Sequence, residues 1–184
     1  MRCAFEVAAV RAEPSDDAEL VTQLLLGEPA TVVESSNGWS RIVTAYDYPG
    51  WVRTDVLEEG DGTLAADASG SPVDVARSYL GTRYLWGGMT SRGIDCSGLV
   101  HMSYRRLGRL VPRDADQQEE AGVPIDVPEP GDLVTYGGDA ADHIAFWLGD
   151  DRILHSTGRE SGIGVIEELE PAYLRLRRRK LIRL

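Results

Sequence analysis

Two units of different class are predicted from this sequence: a small β-barrel over residues 1–58 and an α+β domain over residues 72–184, joined by a linker over 59–71. Three observations carry that expectation. The first 58 residues hold short strand-like runs separated by turn signals. Residues 58–71 then turn abruptly to small and acidic residues, a linker composition. Beyond them come amphipathic helices and afterwards three strand-like runs at antiparallel spacing, the order of an α+β domain.

In the barrel, Ala30-Thr31-Val32-Val33-Glu34, Trp39-Ser40-Arg41-Ile42-Val43 and Gly50-Trp51-Val52-Arg53 read as strands. Glu13-Pro14-Ser15-Asp16, Ser36-Asn37-Gly38 and Tyr48-Pro49-Gly50 read as the turns between runs. Cys3 is expected to be a strand residue without a function. A helix opens at Ser71-Pro72-Val73-Asp74, with Ser71 as N-cap, Pro72 at the first helical position and Asp74 in the first turn. Val73, Ala76, Tyr79 and Leu80 form its apolar face and Gly81 stops it. A second helix starts at Cys96, with Leu99, Val100, Ser103, Tyr104 and Leu107 on one face and Gly108 as a C-terminal stop. The stretch from there to Pro130-Gly131 reads as irregular. Strands are then expected at residues 132–136, 143–148 and 152–156. The closing basic segment, Arg175-Leu176-Arg177-Arg178-Arg179-Lys180-Leu181-Ile182-Arg183, reads as a last strand with a charged outer face.

Composition narrows the function. The chain of 184 residues is 42% hydrophobic and 27% charged, with a net charge of −11, which argues against a nucleic-acid partner. No apolar run approaches the length of a membrane span. Glutamate interrupts the short apolar stretch within residues 1–10, so no secretory signal is read there and a cytoplasmic location is expected. Two distant cysteines, three histidines and no C-x-x-C predict neither a disulfide framework nor a zinc site, and no metal or cofactor is expected. The lack of an apolar outer helix face predicts a monomer.

Cys96 is the candidate nucleophile. A thiol in the first turn of a helix meets the positive end of the macrodipole and unpaired N–H groups, which favour thiolate. Such a nucleophile needs a base, and the base needs a third group to orient it. His101 lies about 140° around the helix from Cys96 and is expected to be a surface or packing residue. His143 and His155 lie on consecutive strands. A two-residue connection in regular register would set them on opposite faces. A three-residue loop, or an equivalent bulge, would make them diagonal neighbours on one face, and that arrangement is expected here.

Tyr84-Leu85-Trp86-Gly87-Gly88, Asp95-Cys96-Ser97-Gly98, Pro112-Arg113-Asp114-Ala115, Pro130-Gly131-Asp132-Leu133, His143-Ile144-Ala145-Phe146-Trp147-Leu148-Gly149 and Ile153-Leu154-His155-Ser156 occur in this order along the chain. In that order they resemble the NlpC/P60 cysteine peptidases. The N-terminal segment resembles a bacterial SH3 (SH3b) barrel, with Thr22-Gln23-Leu24-Leu25-Leu26-Gly27-Glu28 and Tyr48-Pro49-Gly50-Trp51 similar to peptidases that cut γ-D-glutamyl-diamino acid bonds. The resemblance implies a papain-like catalytic domain in which Cys96 attacks, His143 is the base and His155 orients it. Tyr84 and the Cys96 N–H would stabilise the oxyanion. Trp86 is expected to be packing.

The implied substrate is a small murein peptide, L-Ala-γ-D-Glu-diamino acid, with a free ammonium and an α-carboxylate beside the scissile bond. The resemblance assigns Asp114 and Tyr48 to the ammonium, and Ser97 and Arg113 are reasonable donors to the carboxylate. Asp95 either orders this network or caps the Cys96 helix. Relatives selective for a free amine often carry an acid before the Thr-Gln pair, where this chain has Val21. Glu19, two residues earlier on the same strand face, is the candidate replacement, and Glu13 is another. Peptide recycling is the leading expectation. A secreted wall-lytic enzyme anchored by its SH3b barrel, and a non-catalytic wall-peptide-binding protein, are the alternatives.

Overall fold

The computed structural model describes residues 1–64, 66–158 and 164–184, so Ala65 in the expected linker lies outside the described residues. The chain divides into two compact units. One is Met1–Ala65 with Trp86–Gly88, and the other is Ala66–Leu85 with Met89–Leu184.

The first unit contains β1 (Arg2–Cys3), β2 (Val7–Arg11), β3 (Leu20–Leu25), β4 (Ala30–Ser36), β5 (Trp39–Thr44), β6 (Pro49–Arg53), a 3₁₀ turn at Thr54–Val56 and β7 (Leu57–Glu58). Strands β3-β2-β6-β5-β4 form an antiparallel sheet, and β1 pairs with β7. Cys3, Ala8, Val10, Leu24, Ala30, Ile42 and Val52 fill the barrel core. The Asn37-Gly38 turn between β4 and β5 has φ of 52° and 78°, the left-handed pair that a tight hairpin connection needs.

The expected linker is pinned at both ends. The Thr63 N–H donates to Gly27 O in the first unit, and the Asp67 and Ala68 N–H groups donate to Arg106 O in the second.

The second unit begins with α1 (Pro72–Arg77). Its Ser71 cap receives the Asp74 N–H, while the Asp74 carboxylate accepts from the Ser71 N–H at 2.9 Å. Turns carry the chain on to Gly81 at φ 81°. The short strands β8 (Met89–Thr90) and β9 (Gly93–Ile94) lead into α2 (Cys96–Arg105). The supposedly irregular stretch holds α3 (Ala115–Ala121) and then β10 (Val123–Pro124). Next come β11 (Leu133–Gly137), β12 (Ala141–Gly149), β13 (Arg152–Thr157), β14 (Gly164–Leu169), α4 (Ala172–Arg175) and β15 (Arg178–Arg183). Neither β14 nor α4 was anticipated from the sequence.

The strands form an antiparallel sheet in the order β10-β15-β11-β12-β13-β14. Strand β11 is a continuous buried run because both faces of the sheet are covered. On one face α2 packs against β12, with the Tyr104 and Phe146 rings 6.4 Å apart. On the other, Val134, Tyr136, Ala145, Trp147, Ile153 and Leu174 cluster. Of the basic closing segment expected as a strand, Arg175 ends α4 and only Arg178–Arg183 form the strand, whose arginines enter internal ion pairs. Arg178 binds the buried Glu170, Arg179 binds Glu119, and Arg183 binds Asp132.

The β12–β13 connection decides which side chains meet. Asp150 and Asp151, at φ 49° and 54°, make a two-residue turn. Gly149 pairs with Arg152, but Trp147 then pairs with Ile153 and Phe146 with Leu154, so Leu148 is the extra residue of a bulge. The bulge puts the even-sum register in place and sets His143 and His155 on one face. This is the bulged arrangement the sequence calls for, reached with a two-residue turn.

Gly164 opens β14 at φ 88°, and a Cβ there would lie 1.9 Å from Thr82 O. The neighbouring backbone is tied both ways, Val165 N–H to Thr82 O and Gly81 N–H to Val165 O. Gly164→Ala is therefore expected to destabilise the second unit by about 2 kcal/mol or more. A lower urea midpoint with an unchanged slope would show it.

Candidate active site

Cys96 is the first residue of α2, and Asp95 is its N-cap. The Gly98 N–H donates to Asp95 Oδ1 at 2.6 Å, so Asp95 caps the helix, and the same carboxylate joins a network. Arg113, 1% exposed, grips the same carboxylate bidentately, Nη1 to Oδ1 at 3.0 Å and Nη2 to Oδ2 at 2.8 Å. Arg113 Nη1 also donates to Ser97 Oγ at 2.9 Å, and Gln118 Nε2 donates to Ser97 O at 3.0 Å. The fork geometry is the strong form of the ion pair, and burial makes it costly to break.

Ser97 and Arg113, expected as donors to a substrate carboxylate, are both buried, and Arg113 is directed at Asp95 and Ser97. They brace the turn that carries Cys96.

Burial, reinforced by the Asp95 carboxylate, pushes the Cys96 thiol up to about 12. The backbone N–H groups of Ile144 and Ser97 and the Arg113 charge pull the other way and are outweighed. The start of a helix does not by itself hold a thiolate here, because the sulfur has lost the water that would solvate the charge.

The Ile144 N–H aimed at Cys96 sets the sulfur against β12, one residue from His143. His143 Nε2 lies 2.8 Å from His155 Nδ1, with the rings 5.0 Å apart and edge-on at 77°. His155 is completely buried, and its Nε2 lies 2.9 Å from Glu168 Oε1 on β14. Tyr136, across the ladder on β11, sets its ring 5.7 Å from that of His143 and donates its hydroxyl to Glu170 Oε1 at 3.0 Å. Ser156, facing the other side of β13, donates to Ile94 O at 2.7 Å and ties the strand to the approach to Cys96.

Tyr84 bridges to Ile94 ahead of Cys96. Burial first, then the nearby Cys96 and Asp95, raises its phenol, which stays a hydroxyl donor. Asp114 caps α3, its N–H donating to Gln117 Oε1 at 3.3 Å, and its side chain is 38% exposed 4.0 Å from Arg113.

Glu19 and Tyr48 belong to the first unit. Glu19 Oε1 accepts from Trp86 Nε1 at 2.7 Å, and Trp86 is 58% exposed rather than packed. The Tyr48 ring lies 6.3 Å from Tyr46.

His101 is the packing residue expected, fully buried with Nδ1 2.8 Å from Val111 O. The sequence reading missed Glu168, Gln118 and Tyr136. Only α3 had left a signal, the Asp114-x-x-Gln117 capping pattern.

The NlpC/P60 family model matches residues 81–180, more than half of the chain. The chain belongs to the NlpC/P60 family. Residues 10–57 match the bacterial dipeptidyl-peptidase Sh3 domain. A γ-D-glutamyl-L-lysine dipeptidyl-peptidase of Bacillus cereus is 30% identical over 131 residues, covering 64% of this chain and 39% of that protein. Dipeptidyl-peptidase 6 of Lysinibacillus sphaericus is 31% identical over 180 residues, covering 90% of this chain and 64% of that protein. The chain thus spans less than two thirds of these relatives. The crystal structure of an NlpC/P60 family protein from Bacillus cereus superposes with a TM-score of 0.57 at 22% identity, covering 99% of this chain and 62% of that one. That likeness establishes the fold, an NlpC/P60 domain of helices on an antiparallel sheet with an SH3-like barrel ahead of it.

Two outcomes follow for the NlpC/P60 domain. Arg113→Ala leaves Asp95 buried and uncompensated and is expected to cost about 3–5 kcal/mol, read as a lowered urea midpoint. His101 gives a pH signature. Burial, with Arg113 and Arg105 nearby, holds its imidazole down to about 3. The unfolded chain takes that proton below about pH 6.5, so the stability is complete above 6.5 and is lost as pH falls toward 3. His101→Asn, whose amide can still donate to Val111 O, removes that loss. Between pH 7 and pH 4.5 the variant should gain on the order of 2 kcal/mol relative to the parent in denaturant titrations.

Proposed function

We propose that this chain is a cysteine peptidase that hydrolyses the γ-D-glutamyl-L-diamino acid bond of short murein peptides bearing a free N-terminal L-Ala, in peptide recycling. One observation carries the chemistry: His143 is in hydrogen-bond contact with His155 at 2.8 Å and stands next to Ile144, whose backbone N–H meets the Cys96 sulfur.

Each residue then has a task. With Nε2 of His143 turned to His155, Nδ1 is the ring nitrogen that takes the Cys96 proton as sulfur attacks the glutamyl carbonyl carbon. The tetrahedral oxyanion is received by the Tyr84 hydroxyl and the Cys96 N–H. Collapse breaks the C–N bond, and His143 returns the proton to the leaving amine. Water, deprotonated by His143, attacks the thioester and releases the carboxylate with free Cys96. The raised Cys96 thiol fits this order, since proton removal and attack occur together rather than from a resting thiolate.

The substrate class is supported by the relatives named as γ-D-glutamyl-L-lysine dipeptidyl-peptidases and by the Sh3 match, which is described for dipeptidyl-peptidases. Asp114 is the acid proposed for the ammonium. It keeps an exposed carboxylate although its neighbour Arg113 is committed inward.

The test is incubation with L-Ala-γ-D-Glu-L-Lys, free and N-acetylated, with products followed by mass. The reading expects cleavage of the free peptide alone and none by Cys96→Ala. Equal cleavage of both forms would favour a wall-lytic enzyme, and cleavage of neither would overturn the reading. Asp114→Asn should raise KM for the free peptide about tenfold with little change in kcat, the loss of a partly solvated ion pair.

A further inference from the structure

We infer that Glu168 is a positioning residue of this site, whose carboxylate selects the tautomers of His155 and His143 so that a basic nitrogen faces Cys96. The inference rests on the Cys96–His143–His155 reading above and extends it by one strand.

The three side chains form a diagonal across three adjacent strands. The β12–β13 register, Phe146 opposite Leu154, brings Ala145 opposite His155 and makes His143 its diagonal neighbour. In the β13–β14 register, Ile166 lies opposite His155 and Glu168 opposite Ile153, so Glu168 is the next diagonal neighbour on the same face. Diagonal positions are too far apart for short side chains but suit an imidazole and a glutamate. The resulting contacts are 2.8 Å and 2.9 Å. The adjacent glutamate, Glu167, goes elsewhere, binding Arg77 at 2.7 Å. Only one of the pair is given to the histidines.

Donor and acceptor logic fixes the direction of this chain. A carboxylate offers acceptors only, so His155 Nε2 must carry the hydrogen. In the neutral ring Nδ1 is then a lone pair, and the nitrogen facing it, His143 Nε2, must be the donor. His143 Nδ1 is left as a lone pair, which is what a base needs.

Without the carboxylate the same two rings can bond in the reverse sense. His155 Nδ1–H would donate to His143 Nε2, and His143 would present Nδ1–H, which cannot accept the thiol proton. Histidine contact alone therefore leaves half of the arrangements unproductive. Glu168 removes them, and its charge also balances the imidazolium that forms when His143 takes the proton.

Glutamine is the discriminating substitution, since it keeps the shape but can accept from or donate to His155 Nε2. The experiment is ¹⁵N NMR of the histidine rings in the full chain at neutral pH, without substrate. His101 is an internal reference, because its Nδ1 faces the Val111 carbonyl and must be protonated in every variant. The parent protein is expected to show Nε2–H tautomers for both His143 and His155. Glu168→Gln is expected to show a growing Nδ1–H population at both, with kcat for the tripeptide lowered at least about tenfold and KM nearly unchanged. An Nδ1–H tautomer at His155 in the parent would overturn the inference without any variant. Unaltered tautomers in Glu168→Gln would do so equally. Because the NMR readout needs no turnover, it separates this inference from the substrate assignment, which stands or falls on peptide cleavage.

Discussion

Leu148 lies outside the ladder between β12 and β13, and that one extra residue determines which side chains share a face. Side chains alternate along a strand, so a slip of one position moves every residue to the other side of the sheet. With Leu148 paired, Phe146 would sit opposite His155 and the two histidines would part. The two aspartates make the turn in the left-handed conformation that a two-residue connection requires, and Gly149 beside the bulge takes φ 89°. From this register follows the histidine contact, and the β13–β14 register adds the reach of Glu168.

The second constraint is electrostatic. Asp95 and Arg113 are charges taken out of water, and each is acceptable only because the other saturates it. Their pairing fixes the turn before α2 and so the position of Cys96. It also adds a carboxylate beside the sulfur, which together with burial opposes thiolate formation. The helix start thus places the nucleophile without activating it. In the proposed mechanism activation passes to the histidines, whose orientation depends on the sheet.

The strands β4, β5 and β6, the caps of α1 and α2 and the order of six short motifs were legible in the sequence, because each rests on local pattern or on residue identity. The helix start at Cys96 and the strand positions of His143 and His155 were legible for the same reason. What stayed hidden depends on pairing between distant segments. The run Gly164-Val165-Ile166-Glu167-Glu168-Leu169 sets two glutamates side by side, and no alternation marks it as a strand. Glu168 gains meaning only from the register that sets Ile166 opposite His155. The bidentate pairing of Arg113 with Asp95, eighteen positions away in sequence, carries no local pattern either. The helix α3 is short and polar, and its apolar contacts are too few to show a period.

The central claim is that His143, held by this sheet, supplies the deprotonation that the buried thiol does not achieve alone. The most direct measurement is the rate of Cys96 alkylation by iodoacetamide across pH 6 to 10 in the parent and in His143→Ala, read by mass on the Cys96 peptide to separate it from Cys3. The account predicts ready alkylation of the parent near pH 7. It predicts a His143→Ala rate at least about a hundredfold lower there, rising only at alkaline pH as an unassisted thiol of about 12 requires. Superimposable profiles for the two proteins would contradict it.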